Sequence, residues 1–120
     1  MARNPFLDWL SPERFVRGEG RAELEVAVRE EFLQARGAVH GGILASLLDT
    51  AMGSAAGSLG VRVVTADLNV SYLRPAVSHR LYVKAQVIYQ GDRLYFVEGS
   101  VLDHNGSEVA RGKGIFFRVG

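Results

Sequence analysis

The sequence predicts an α+β fold, with an antiparallel sheet packed on one long helix. Three observations predict it. The segment from Gly41 to Leu59 repeats its large apolar residues at helical spacing and contains no proline. Segments on both sides of it alternate apolar and polar residues with period two, the pattern of strands with one buried face. The order is strand, helix, then four strands in a row, which suits an antiparallel sheet rather than alternating strand and helix units.

Each element has its own justification. Pro5 to Leu10 can form a short amphipathic helix that Ser11 and Pro12 end. Ala22, Leu24, Val26 and Val28 alternate with Glu23, Glu25, Ala27 and Arg29 as a strand. Phe15 and Val16 begin its hairpin partner, with Gly18 and Gly20 supplying the turn. In the long helix the stripe is Ile43, Leu44, Leu47, Leu48, Ala51, Met52 and Ala55. The remaining strands are Arg62 to Leu73, Leu81 to Tyr89, Leu94 to Leu102, and Val109 to Val119. Pro75, Gly91-Asp92 and Asn105-Gly106 mark turns, the last reading as a two-residue hairpin.

Composition narrows the function. A chain of 120 residues suits one domain, 1–120, and 48% apolar against 22% charged residues is a globular balance. A net charge of +1 gives no general attraction to nucleic acid or to an anionic membrane. The absence of cysteine removes disulfides, thiolate nucleophiles and Cys-based metal centres. His40, His79 and His104 show no metal-ligand spacing, so neither a metal nor a cofactor is expected. Met1 to Ser11 lacks the apolar run of a secretory signal and no segment has the length of a membrane span, so a cytoplasmic location is expected. A G-x-S-x-G elbow is missing, and the glycines from Gly106 to Gly114 do not have phosphate-loop spacing.

The long helix carries the anomaly. Opposite its apolar stripe lie Gly42, Ala45, Ser46, Asp49, Gly53 and Ala56, and Asp49 is the only charged residue from Gly41 to Leu59. A solvated face would hold Lys, Glu or Gln instead. Small residues admit a close neighbour, and a lone carboxylate beside one is costly unless it is paired or used. It can simply fix a packing register by bonding Ser46 or Thr50. Alternatively it does chemistry, because His40-Gly41-Gly42 precedes the helix and its backbone N–H groups form a natural oxyanion site. Eight residues separate Gly41 from Asp49, about 12 Å of helix axis. If both serve one reacting centre, Asp49 must come from a second copy.

The block Gly37-Ala38-Val39-His40-Gly41-Gly42-Ile43-Leu44-Ala45-Ser46-Leu47-Leu48-Asp49-Thr50-Ala51, followed by Val64-Thr65-Ala66-Asp67-Leu68-Asn69-Val70-Ser71-Tyr72-Leu73-Arg74-Pro75, resembles the hotdog-fold thioesterases. Within them it is similar to the branch of the phenylacetate-pathway protein PaaI and human thioesterase superfamily member 2. The resemblance runs from about Glu30 to the C-terminus. It implies a sheet of five or six strands wrapped around the helix, and subunits that join sheets edge to edge with active sites between them. It further implies that the Gly41 N–H polarises a thioester carbonyl, with Gly42 beside it in substrate binding. His40 would orient the loop or contact the thioester. Asp49 of the partner would act as nucleophile or general base, and Thr65 would position water. Related chains commonly carry Asn six residues before the motif histidine; Gln34 stands there instead.

The resulting expectation is an acyl-CoA thioesterase acting on a phenylacetyl, hydroxyphenylacetyl or medium-chain ester, assembled as a dimer of hotdogs and further as a tetramer. Coenzyme A, as part of the substrate, needs cations for its phosphates, and Arg74, Arg93, Arg111 and Lys113 are candidates near strand ends and hairpins. Phe6, Trp9, Leu10 and Met52 are candidates for the acyl pocket. Two rivals are a hotdog hydratase, for which the proline-bounded histidine segment is missing, and a non-catalytic acyl-CoA binding module. Such modules in regulators usually carry a DNA-binding domain, and retention of Asp49 favours the enzyme.

Overall fold

The computed structural model describes residues 4–120; residues 1–3, part of the N-terminal segment considered above for a secretory signal, lie outside the described residues. Helix α1, Pro5–Leu10, starts with proline at its first turn, where no N–H is needed. Asn4 Oδ1 accepts the Leu7 N–H at 3.1 Å, and Ser11 closes the helix in the left-handed region at φ 50. Strands β1, Arg14–Gly18, and β2, Arg21–Ala27, form a hairpin. Its turn uses Glu19 at φ 55 and Gly20 at φ 79, both left-handed as a two-residue turn requires, so Glu19 and not Gly18 supplies the first position.

A 3-10 turn at Glu30–Phe32 leads to helix α2, Gly41–Gly57, which stops two residues before the Leu59 expected from periodicity. Strands β3, Val63–Tyr72, β4, Arg80–Gln90, β5, Leu94–Leu102, and β6, Glu108–Arg118, follow. All six strands form one antiparallel sheet in the order β1-β2-β4-β5-β6-β3. The α+β expectation holds. No helix among the described residues is long and apolar enough to cross a membrane.

The sheet's inner face covers α2. Leu44, Leu47, Leu48, Ala51, Met52 and Ala55 are buried as the stripe predicts, while Ile43 is only half-buried. Ala56, grouped with the small polar face by sequence, is instead fully buried. The helix sits close because Gly99 and Gly112, paired across β5 and β6, offer no side chains beneath it. A Cβ on Gly112 would lie 3.2 Å from both Leu48 Cδ1 and Met52 Cε, and one on Gly99 3.2 Å from Leu48 Cδ2.

Two details reach the functional region. In β3, Thr65 pairs with Phe116 and Asp67 with Ile115, leaving Ala66 as an extra, bulged residue. The bulge changes the parity of the strand: Val63 is half-buried before it, and Leu68 and Val70 are half-buried after it. The β5–β6 connection is a second departure. Gly106 N–H bonds the Asp103 carbonyl at 3.0 Å, Gly106 has φ 80, and Asp103 Oδ1 accepts the Asn105 and Ser107 N–H groups, both at 2.9 Å. Only Gly106 is left-handed, so Asn105-Gly106 ends a longer turn closed by Asp103 rather than forming a two-residue hairpin.

Candidate active site

The N-terminus of α2 is held from several sides. His40 N–H bonds the Phe32 carbonyl at 2.7 Å and Val39 N–H the Ala76 carbonyl at 2.8 Å. His40 is the N-cap, its Nδ1 accepting the Gly42 N–H at 3.1 Å, which makes the ring the Nε2–H tautomer. Tyr72, at the end of β3, donates its hydroxyl to the Gly41 carbonyl at 2.9 Å. Its ring lies 3.4 Å from where a Gly41 Cβ would be, so any side chain at position 41 would press on it. The Gly41 N–H itself has no acceptor among the described residues.

Two turns along α2, Asp49 faces the start of β3. Thr65 Oγ1 donates to Asp49 Oδ1 at 2.7 Å, leaving the other carboxylate oxygen without a partner among the described residues. The bulge at Ala66 lets Thr65 point toward Asp49 while Leu68 and Val70 keep their inward positions. Asp49 opens onto a groove of about 440 Å³ lined by Phe6, Arg17, Gly53, Val63 and Phe116 among others. The Ser46 hydroxyl is taken by the Gly42 carbonyl at 2.8 Å, so the purely local role considered for Asp49, a bond to Ser46, is not the arrangement seen.

A family model described as the thioesterase superfamily matches residues 36–110, more than half of the chain, and that span holds His40, Gly41, Asp49, Thr65 and Tyr72. The chain belongs to this thioesterase superfamily. A candidate esterase of Halobacterium salinarum is 38% identical over 82% of this chain and 74% of its own length. The acyl-coenzyme A thioesterase PaaI of Escherichia coli is 31% identical, covering 85% of this chain and 74% of the relative. Its structure superposes with a TM-score of 0.92 over 98% of this chain and 86% of that one, at 28% identity. A Bacillus halodurans protein solved with CoA superposes at 0.86, with 32% identity over 98% of this chain and 78% of that one. The sheet around α2 is therefore a hotdog fold, and the chain is a thioester hydrolase of the hotdog type.

Within this thioesterase the residues singled out from sequence fall into separate groups. His40, Gly41 and Gly42 meet at one end of α2; Asp49 and Thr65 meet near its middle. Gln34 joins neither: its side-chain oxygen accepts the Arg36 N–H, and its backbone bonds Ala38 and Gly37, so the amide serves its own turn. Arg74 lies two residues past Tyr72, the end of β3, and is exposed. Arg93 lies in the β4–β5 turn, its carbonyl accepting the Arg118 N–H at 2.8 Å. Arg111 and Lys113 flank Gly112 and therefore face away from α2 on the sheet's outer side. Arg111 is gripped by Glu108 at 2.6 Å, and that guanidinium, with the Ser100 hydroxyl, holds the Glu108 carboxyl below its ordinary range.

Of the residues considered for an acyl pocket, only Phe6 lines the groove; Leu10 and Met52 are core residues. Trp9 stands 5.6 Å from Phe32, with the Arg29 guanidinium 4.6 Å from each ring. Tyr72, which bonds Gly41, and Arg17, which lines the groove, were not singled out from the sequence. Tyr72 stood inside the second recognised block, but as a strand residue its reach to Gly41 depends on how β3 crosses α2. No cluster of three or more His, Cys, Asp or Glu among the described residues is placed to hold a metal.

Proposed function

We propose that this thioesterase hydrolyses an acyl-CoA to the free acid and CoA, with Asp49 delivering the attack and the Gly41 N–H of a second copy stabilising the oxyanion. The observation that carries this reading is the placement of both half-sites on β3: Thr65, near its start, bonds Asp49, and Tyr72, at its end, bonds Gly41. Strand β3 is an edge of the sheet, ten residues long. Antiparallel pairing of two such edges about a twofold axis near Leu68 and Asn69 would bring Thr65 of one copy opposite Tyr72 of the other. The Asp49 carboxylate would then face the free Gly41 N–H, which the two-turn separation forbids within one chain.

In this arrangement the helix N-terminus receives the carbonyl oxygen, where the N–H and the helix dipole stabilise developing negative charge. Asp49 attacks the carbonyl carbon directly or takes a proton from water that attacks it. The C–O bond forms, the C–S bond breaks, and a proton reaches the departing CoA thiolate. Direct attack leaves an anhydride that water resolves. A single turnover in ¹⁸O water separates the routes, because only direct attack leaves product oxygen derived from Asp49. The chemistry needs no cofactor, and we infer a cytoplasmic enzyme. Arg74, exposed two residues past Tyr72, is the cation we assign to CoA; Arg111 is engaged by Glu108 on the opposite face.

The test is free-thiol release from phenylacetyl-, hydroxyphenylacetyl- and straight-chain acyl-CoA esters by the wild type and Asp49→Asn. A loss of about a hundredfold or more, roughly 2.7 kcal/mol of transition-state stabilisation, in a folded variant is expected. Full activity in that variant would remove Asp49 from the reaction. Tight acyl-CoA binding without thiol release by the wild type would instead leave a binding module.

A further inference from the structure

We propose that Arg17 reads the far end of the acyl group, so that the groove beside Asp49 selects acyl chains ending in a carboxylate. The inference rests on the thioesterase reading above and extends it to substrate class. Arg17 belongs to β1, where Phe15 packs on the core and Val16 points outward, so Arg17 shares the helix-facing side of the strand with Phe15. Arg17 itself is exposed there. Here a guanidinium reaches across α2: a Cβ on Gly57 would lie 2.9 Å from Arg17 Nη1, so Gly57 leaves the room that Arg17 occupies.

Arg17 and Asp49 line the same groove, whose other walls include Phe6, Val63, Val64 and Phe116. Gly57 lies eight residues beyond Asp49 on the same helix, about 12 Å along the axis. An acyl chain with its carbonyl at Asp49 therefore runs past Phe6, Val63 and Phe116 on one hand and Thr50 and Ser54 on the other, and ends at a cation. Among the described residues Arg17 makes no hydrogen bond or ion pair. Nor does α2 need it as a cap. The carbonyls of Ser54, Ala56 and Gly57 accept the N–H groups of Ser58, Leu59 and Gly60, and that of Ala55 accepts the Ser58 hydroxyl. A free, planar five-donor fork in this groove matches a carboxylate, which it can hold bidentately.

Length sets a second expectation. A short chain such as malonyl would place its terminal carboxylate beside Asp49, where like charges repel, and a longer one would carry it to Arg17. Preference for the ω-carboxyl ester over its methyl-ended counterpart should therefore rise from malonyl through glutaryl to adipoyl and suberoyl.

The experiment compares kcat/KM for these esters with butyryl-, hexanoyl- and octanoyl-CoA in the wild type, Arg17→Met and Arg17→Lys. In parallel, calorimetry measures binding of the non-hydrolysable thioethers S-(5-carboxypentyl)-CoA and S-hexyl-CoA. We expect Arg17→Met to lose at least about tenfold of the ω-carboxyl preference, read as the ratio of kcat/KM for each ω-carboxyl ester to that of its methyl-ended counterpart, and Arg17→Lys to keep part of it. Equal ratios in wild type and variant, in both turnover and binding, would overturn the proposal. If no ester is hydrolysed but the thioethers are still discriminated through Arg17, the acyl-end assignment stands and the hydrolase reading falls. A merely structural Arg17 would lower the melting temperature without moving the ratio, which likewise overturns it.

Discussion

Arg29 shows how one side chain can serve fold and site together. Its guanidinium lies over both the Trp9 and Phe32 rings, 4.6 Å from each, and donates to the carbonyls of Trp9 at 2.9 Å and Leu10 at 3.3 Å, the last residues of α1. It therefore fastens α1, which carries Phe6 into the groove, to Phe32, whose carbonyl holds the His40 N–H. A cation over aromatic rings at a partly exposed position is worth about 0.5–1 kcal/mol, and each hydrogen bond from a charged donor adds more. Arg29→Ala should lower stability by roughly 1–3 kcal/mol in a denaturant titration and raise KM more than it lowers kcat. Arg29→Lys should recover only part of either loss, since an ammonium keeps the charge but not the planar stack and fork. An unchanged KM in a folded Arg29→Ala variant would show that α1 does not shape the groove.

At the scale of elements, the seat of α2 is the sensitive point. Gly99 and Gly112 leave room for Leu48 and Met52, contacts that an added side chain would close. Gly112→Val, which adds volume where 3.2 Å remains, should cost about 1–3 kcal/mol by overpacking. The measurement is the chemical-denaturation midpoint, and an unshifted midpoint would mean the helix can lift freely. These elements were largely legible in the sequence because their periodicities are strong and uninterrupted: α2, β2 and the last three strands appear within a residue or two of their expected bounds. The turns were less so. Asn105-Gly106 fits a two-residue hairpin locally, and only the Asp103 side chain, folding back on the loop, selects the longer form. The bulge did leave a trace, since Val63 and Thr65 on one parity and Leu68 and Val70 on the other cannot share a face of an unbroken strand. The groups at the N-terminus and near the middle of α2 were visible as motif residues. Tyr72 and Arg17 were not, because both reach the helix from strands whose course is tertiary.

For the whole molecule the proposed pairing of two copies makes a quantitative statement. Asp49→Asn removes the acid, and Gly41→Val should displace Tyr72 and spoil the amide donor, so each variant alone should be nearly inactive. Mixing the two by joint refolding gives hybrid pairs in which one of the two sites has both parts intact. With random pairing, about a quarter of wild-type activity should return. Recovery near zero, with hybrids verified by mass, would place both groups in one chain and overturn the shared site.

The two ends of the sheet are unequal, and this bears on where assembly stops. Strand β3 offers ten residues to a partner, whereas β1 offers five, with Arg14 and Arg17 along them. If any edge joined any other, β3 of one molecule could add to β1 of the next, and so on without closure, as a filament. The short, charged end disfavours that head-to-tail addition, while the long end can satisfy itself by meeting its own kind. A sheet built this way can double once and then has no long edge left to extend.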